Sequence, residues 1–312
     1  MIFDAHGDIL TDIYEETKKG NNNSFITKHY PLYLKSGIKQ SIFVNWTDPD
    51  TKTQDYFNEV FDISIKELKN NSHVLSICHN YDELEKANQE GKLGILLGIE
   101  GLKYLEKPED IISLYDKGIR HAILTWNEEN KYAGGVAYPD QGLTDLGKRL
   151  LSLMQEHHMI IDLSHANEKS FNEIMDYIKG PLIVSHGNVK ALCDHRRNYT
   201  DEQLLMVKEH NGVIGVCAVA SFISRDKDHQ NVSFLAKHID YIVKKIGIDF
   251  VGLGLDVCYY LYEGHHSTTV LGLETIAEAN NILTELQKLG YSDEDIDKIA
   301  YLNFQRVIKA VL

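Results

Sequence analysis

The sequence of 312 residues predicts an α/β fold, a (β/α)8 or TIM barrel, and three observations support this prediction. Short apolar segments recur along the whole chain, and most of them end in a polar or ionisable residue. These segments are continuously apolar rather than alternating, as is typical of strands covered on both faces. Amphipathic helical patterns fill most of the gaps between them, so strands and helices alternate as a parallel barrel requires.

Eight segments are the predicted strands. In chain order they cover residues 2–8, 41–46, 93–100, 122–126, 159–165, 181–186, 212–217 and 250–256. The long segments after Trp126 and Asp256 are expected to be loops at the carboxyl end of the barrel. No linker rich in proline, glycine or serine divides the chain, so we predict a single barrel domain over residues 1–312. A doubly wound open sheet is the alternative fold, but no GxGxxG motif follows a strand.

Three helical patterns between the strands are clear. The first begins after the N-cap candidate Thr144, with Asp145 in its first turn. The third covers residues 276–289. The apolar face of the first consists of Leu146, Leu150, Leu151 and Met154, and that of the second consists of Leu235, His238, Ile239, Ile242 and Ile246.

Composition limits the classes of function. There are 32 Lys and Arg against 46 Asp and Glu, and the formal net charge of -14 argues against binding of nucleic acid, which requires clustered cations. The amino terminus has no signal-peptide pattern and no segment reaches about 18 apolar residues, so we expect a cytoplasmic protein without membrane contact. The four cysteines are widely separated and are expected to be reduced packing residues.

Ionisable residues end several of the predicted strands. They are His6 and Asp8 in the first strand, then Glu100, His165, His186 and Asp256. In a closed barrel the carboxyl ends of the strands meet at one face, so these side chains are expected to converge. An isolated histidine such as His121 or His238 is more often a satisfied core or surface residue, but a coincidence at matching positions of successive strands favours a metal site. Imidazole and carboxylate suit Zn²⁺, and the number of ligands favours two ions bridged by a carboxylate.

These residues lie in segments that resemble the membrane (renal) dipeptidase family of zinc metallopeptidases, which have an amidohydrolase-like barrel of the metal-dependent hydrolase type. The resemblance extends in order and spacing from residue 2 to the final helices. The matching segments are Asp4-Ala5-His6-Gly7-Asp8, Gly98-Ile99-Glu100-Gly101, the stretch 142–165 ending in Asp162-Leu163-Ser164-His165, then Ile183-Val184-Ser185-His186, Arg196-Arg197-Asn198, and Gly252-Leu253-Gly254-Leu255-Asp256.

The resemblance implies roles for individual residues. His6 and Asp8 would hold one zinc ion, His165 and His186 the other, and Glu100 would bridge them. Arg197 would pair with the terminal carboxylate of a substrate, a bidentate contact that suits a guanidinium. Asp256 would handle the proton of the metal-bound water, which makes Asp256 and Glu100 the expected catalytic residues.

One part of the expected substrate site differs from the family. Its best-studied members have a histidine after the Leu-Thr of the fourth strand, whereas this chain has Trp126 followed by Asn127. We expect both residues to contact substrate, either as hydrogen-bond donors or as a wall of the pocket. A second aspartate expected soon after Asp256 is also absent, because Val257 and Cys258 follow.

The leading hypothesis is therefore a binuclear zinc dipeptidase that cleaves small dipeptides, L,D as well as L,L, with a metal-bridging hydroxide. One alternative is a related metal-dependent hydrolase that acts on another small amide, a lactam or a phosphoester. Another is a metal-binding relative with impaired catalysis, for which Trp126 is the only support. A homodimer is expected from the resemblance alone.

Overall fold

Residues 1–262 and 268–312 are described by a computed structural model, which confirms the predicted (β/α)8 fold. Eight parallel strands follow one another around a nearly closed barrel in the order β1-β2-β4-β5-β6-β7-β8-β9, and β3 pairs with β4 outside this ring. The strands are β1 Ile2–Gly7, β2 Ile38–Trp46, β3 Leu75–Cys78, β4 Leu93–Glu100, β5 Ile119–Ile123, β6 Ile160–Asp162, β7 Ile183–Gly187, β8 Val213–Val216 and β9 Val251–Leu253.

The first and last strands approach each other through contacts just beyond β9. The backbone N–H of Leu255 donates to Asp4 Oδ1 over 2.8 Å. The backbone N–H of Asp256 donates to the carbonyl of His6 over 3.4 Å. Residues from the two ends of the chain therefore meet at one side of the barrel.

Helices and short helical turns follow the strands. The α-helices are α1 Ile9–Lys18, α2 Tyr30–Ser36, α3 Gln54–Asn70, α4 Tyr81–Gln89, α5 Asp110–Asp116, α6 Asp145–Glu156, α7 Glu168–Tyr177, α8 Asp201–Glu209, α9 Ala220–Ile223, α10 Val232–Ile246, α11 Asn280–Lys288, α12 Asp293–Asp297 and α13 Asn303–Val311. Among the helices of the described residues, none combines the length and apolar composition needed to span a bilayer. The segment after Asp256 that was expected to form a loop lies in part outside the described residues.

Local sequence explains several of these elements. Thr144 caps α6 as predicted, because its hydroxyl accepts the backbone N–H of Gly147 over 3.0 Å. The predicted apolar face of α10 is buried throughout. The strand β4 is buried at all eight positions, as its continuous apolar pattern indicates.

Three details differ from the sequence prediction. The strand β3 was not predicted, because four residues, two of them only partly buried, give too short a pattern to distinguish from a loop. Leu146 was assigned to the buried face of α6 but is 47% exposed in the first turn of the helix. The predicted helix over 276–289 is a 3-10 turn, Ile276–Glu278, followed by α11, and Leu289 after it is exposed.

Close approach of β7, β8 and β9 depends on glycine. A Cβ atom on Gly254 would lie 1.6 Å from the carbonyl oxygen of Ser185, and one on Gly215 would lie 2.0 Å from the same oxygen. No side chain fits at such distances, so the two glycines allow the backbones to pack. Because Ser185 immediately precedes His186, the packing of the two glycines on the Ser185 carbonyl holds the carboxyl end of β7 in place.

We predict that Gly254→Ala lowers the free energy of unfolding by about 1–3 kcal/mol, the usual cost of overpacking a core. The alanine methyl group displaces the Ser185 carbonyl or the strand that carries it. Chemical denaturation followed by circular dichroism measures the change. Leu34→Ala, at an exposed position, is the control and should change stability by less than about 0.5 kcal/mol. Equal stability of the two variants would contradict the prediction.

The histidine on the buried face of α10, His238, is a core residue. This is the more common role of an isolated histidine. His238 Nδ1 accepts the backbone N–H of Val189 over 3.2 Å, and its Nε2 lies 2.9 Å from the carbonyl oxygen of Ile223. Burial lowers the pKa of His238 from 6.5 to about 4. The neutral ring thus links α10 to the segments after β7 and in α9.

The depressed pKa of His238 predicts a specific pH dependence of stability. The unfolded chain binds a proton near pH 6.5 and the folded chain only near 4, so the stabilisation is complete above 6.5 and is lost as pH falls towards 4. Between these values the unaltered protein should lose about 3 kcal/mol more than His238→Gln. Denaturation curves for both proteins at pH 7, 5.5 and 4 test this, and parallel losses would show that His238 does not contribute.

Candidate active site

The predicted metal ligands lie together at the carboxyl end of the barrel. His6 is in β1, Glu100 is the last residue of β4 and His186 is in β7. Asp8, His165 and Asp256 lie just beyond the ends of β1, β6 and β9. The sequence predicted Asp8 on the first strand, but the residue lies at the start of α1. Its side chain still faces His6.

Two overlapping groups of side chains offer ligand atoms that all lie within 4.8 Å of one another. One consists of His6, Glu100 and His186, and the other consists of His6, Asp8 and Asp256. His165 adjoins the first group, because its Nε2 is 2.7 Å from Glu100 Oε1 and 2.8 Å from His186 Nε2. Glu100 lies between the imidazoles, with Oε2 at 3.5 Å from His6 Nε2.

The chemistry of these atoms fits divalent metal ions. Two imidazole Nε2 atoms face each other across 2.8 Å at His165 and His186. His6 Nε2 and Asp8 Oδ1 are buried without a hydrogen-bond partner among the described residues. Buried polar atoms of this kind normally have partners, and a cation contacted by nitrogen and oxygen donors would satisfy them together. The second group also includes Asp256, for which the resemblance implied proton transfer rather than metal binding.

Burial sets the protonation states of these groups. It lowers the pKa of both His165 and His186 well below the usual value, so both rings are neutral and have a free lone pair. Burial raises the pKa of Glu100 to about 7 and raises that of Asp256. For His6 burial acts against charge, but the carboxylates of Glu100 and Asp8 raise the pKa of its ring.

Two of the converging residues have left-handed backbone conformations. The φ angle is 66° at His165 and 52° at Asp256. This region is disfavoured for residues with a Cβ atom by about 1–2 kcal/mol. Both residues follow the end of a short strand, where the turn directs their side chains back towards the centre of the barrel mouth.

The Asp162 carboxylate lies beneath the histidines and links two strands. Its Oδ1 accepts the backbone N–H groups of Ser164, over 2.8 Å, and Ser185, over 3.0 Å. Its Oδ2 is 2.7 Å from Nε2 of the buried His121, whose hydrogen bond helps to hold the pKa of Asp162 below its usual value despite burial. The matching segments of the sequence contained Asp162, but its contacts could not be assigned from them.

A cavity of about 450 Å³ opens above the candidate ligands. Asp8, Glu100, Trp126, Asn127, His165, Arg197 and Asp256 line it, together with Trp46, Phe222 and Cys258, which the sequence did not single out as site residues. A separate cavity of about 510 Å³ beside β3 contains none of the predicted residues, so cavity size alone does not identify the site.

Arg197 brings a positive charge to this cavity. The residue is only 4% exposed, and its Nη1 and Nη2 have no hydrogen-bond partner among the described residues. The guanidinium carbon lies 5.7 Å from the centre of the Phe222 ring. A buried guanidinium without a partner is costly, and a carboxylate is the ligand whose geometry it matches.

The two residues at the position of the family histidine have different surroundings. The Trp126 ring packs edge-on against Trp46, with centroids 5.5 Å apart, and forms an aromatic wall of the cavity. Asn127 Oδ1 is 3.0 Å from His165 Nδ1. Asn127 therefore contacts a candidate metal ligand, which its sequence position did not predict.

Two thiols surround the Asp256 carboxylate. Cys258 Sγ lies 3.5 Å from Asp256 Oδ1 and 3.6 Å from Asp8 Oδ2. Cys217 Sγ lies 3.7 Å from Asp256 Oδ2. Both cysteines are free, in agreement with the expected reduced state.

Known proteins resemble the chain over its whole length. A family model described as Membrane dipeptidase (Peptidase family M19) matches residues 1–312. A dipeptidase of Claviceps purpurea is 26% identical over 98% of this chain, and one of Aspergillus oryzae is 30% identical over 76% of it. The chain spans 66% and 55% of the lengths of these two relatives.

The fold is similar to that of a solved metallopeptidase from Rhodobacter sphaeroides, which was crystallised with a phosphinate mimic of the dipeptide L-Ala-D-Ala. The TM-score is 0.88 at 20% sequence identity, with 100% of this chain and 99% of the other covered.

Proposed function

Because the chain belongs to the membrane dipeptidase family, we propose that it is a zinc-dependent dipeptidase with two metal ions. His6, Asp8, Glu100, His165 and His186 would hold the ions, with Glu100 between them, and Asp256 lies close enough to Asp8 and His6 to contribute. When bound, such ions activate water and polarise the scissile carbonyl.

The observation that carries the proposal is the position of Arg197. Its guanidinium, whose Nη1 and Nη2 are buried without a hydrogen-bond partner among the described residues, lines the same cavity as the ligand cluster, so one small molecule can contact both. A dipeptide has its terminal carboxylate only one residue from the scissile bond. That short separation suits a site with a buried cation next to the ligands, and it disfavours longer peptides whose carboxylate lies elsewhere. Arg196 also lines the cavity but is exposed.

The residues of the chain supply binding and proton transfer. Arg197 would bind the carboxylate of the substrate. Trp126 and Trp46 would pack against the side chain of the substrate and exclude water. Hydrolysis adds the oxygen of water to the carbonyl carbon and a proton to the leaving amine nitrogen. The Asp256 carboxyl, whose pKa burial raises, would take that proton from water as the carboxylate and deliver it to the amine.

We propose that the substrates include L,D as well as L,L dipeptides. The solved metallopeptidase from Rhodobacter sphaeroides was crystallised with a mimic of an L,D dipeptide, and its fold is closely similar. In this chain the aromatic side chains of Trp46, Trp126 and Phe222 line the cavity that also contains Arg197.

We predict that purified protein stripped of metal with a chelator is inactive and that zinc restores hydrolysis of a panel of matched L,L and L,D dipeptides. His165→Ala, which removes one imidazole ligand, should remain inactive after the same treatment. Metal analysis and product detection by chromatography measure both results. Protein that holds two zinc ions yet hydrolyses no dipeptide would sink the proposal and favour a metal-binding relative with impaired catalysis or one acting on another amide.

We predict that Arg197→Leu raises KM for dipeptides with little change in the metal content. Loss of a charge-assisted hydrogen bond costs about 1.5–3 kcal/mol, so kcat/KM should fall by roughly 10- to 100-fold. Dipeptide amides, which lack the carboxylate, are the matched control substrates and should be hydrolysed at similar low rates by both proteins. An equal fall for acids and amides would show that Arg197 does not bind the carboxylate.

A further inference from the structure

The Asn127 side chain contacts the edge of the His165 ring that is opposite the ligand cluster. Asn127 Oδ1 lies 3.0 Å from His165 Nδ1, whereas His165 Nε2 lies 2.7 Å from Glu100 Oε1. An amide oxygen only accepts hydrogen bonds, so a neutral His165 ring that is hydrogen-bonded to Asn127 has its hydrogen on Nδ1. This tautomer leaves the lone pair of Nε2 directed at the cluster.

The backbones of these two residues are held by the same short segment. The N–H of Val136 donates to the carbonyl of His165 over 3.0 Å, and the N–H of Ala137 donates to the carbonyl of Asn127 over 3.0 Å. The acceptor and the ring are therefore fixed relative to each other by main-chain contacts. This support matters because His165 has a left-handed conformation beyond the end of β6.

The other two imidazoles of the cluster have a different partner. Ser185 Oγ lies 2.9 Å from His186 Nδ1 and 3.5 Å from His6 Nδ1. A hydroxyl both donates and accepts, and this one is shared, so it selects a tautomer less strictly than an amide oxygen does. Among the described contacts of the three rings, His165 thus has the only dedicated acceptor.

We infer that Asn127 is a positioning residue for the metal centre, which orients His165 through its amide oxygen, rather than a residue that binds substrate. The inference rests on the proposed function in that His165 is a metal ligand. It assigns the residue next to Trp126 to the support of the zinc ion held by His165 and His186. Partners of this kind that orient a ligand typically affect metal affinity by 10- to 100-fold.

Zinc affinity distinguishes positioning from substrate binding. Asn127→Leu removes the acceptor at similar size, and Asn127→Asp keeps an acceptor oxygen. Titration of metal-free protein with zinc against a chromophoric chelator should show one of the two ions bound about 10- to 100-fold more weakly in Asn127→Leu and at least as tightly in Asn127→Asp. Glu129→Gln, at an exposed position of the same loop, should bind both ions as the unaltered protein does.

Cobalt substitution gives a second readout. The d–d absorption of one Co²⁺ site should change in Asn127→Leu and be restored in Asn127→Asp. If Asn127→Leu does not fold without metal, as judged by its melting curve, Asn127→Ala takes its place. Unchanged zinc affinity with a raised KM for dipeptides would overturn the inference, as would equal loss of zinc in the Leu and Asp variants.

The zinc titration and the cobalt absorption do not use a dipeptide. The expected pattern of zinc binding in a protein that hydrolyses no dipeptide would support the inference and overturn the proposed function.

Discussion

The carboxylate of Asp162 compensates for the weakest junction between paired strands of the barrel wall. The ladder between β6 and β7 has a single registered pair, Asp162 with Ile183, whereas β2 and β4 are paired over seven positions. Asp162 bonds the backbone of Ser164 on its own side and of Ser185 on the other. The Asp162 side chain thus replaces backbone hydrogen bonds at the strand ends next to His165 and His186. The same carboxylate is stabilised by His121, so a buried pair underlies the whole cluster.

The pattern of strand ends made the fold predictable from sequence, and it predicted that the candidate ligands converge. Most of the strands are mainly apolar, and the polar residues at or near their carboxyl ends lie at the rim, which is how position indicates His6, Glu100 and His186 as candidates. The contact of Asn127 with His165 is not predictable in this way, because it depends on how a loop after β5 folds over a turn after β6. The approach of Asp256 to Asp8 likewise depends on the left-handed turn after β9.

Charge in the site is balanced over a short distance. Asp8, Glu100 and Asp256 are concentrated near His6. Burial raises the pKa of Glu100 and Asp256, and bound divalent cations would act in the opposite direction. Arg197 stands outside this group and is the cation left for a ligand. The net charge of -14 therefore says little about the site, where local charges are set by burial and by bound ions rather than by the total.

The positive φ angles at His165 and Asp256 are unfavourable for folding, so these residues allow selection for stability to be distinguished from selection for function. At both positions glycine or asparagine would relieve the local backbone cost, so variants chosen only for thermal tolerance would drift away from histidine and aspartate there. Under the proposed function, retention of these two residues would reflect their role in the site. Within a set of related chains, loss of either one together with gain of glycine would then be expected in members that have kept the barrel but not the proposed metal site.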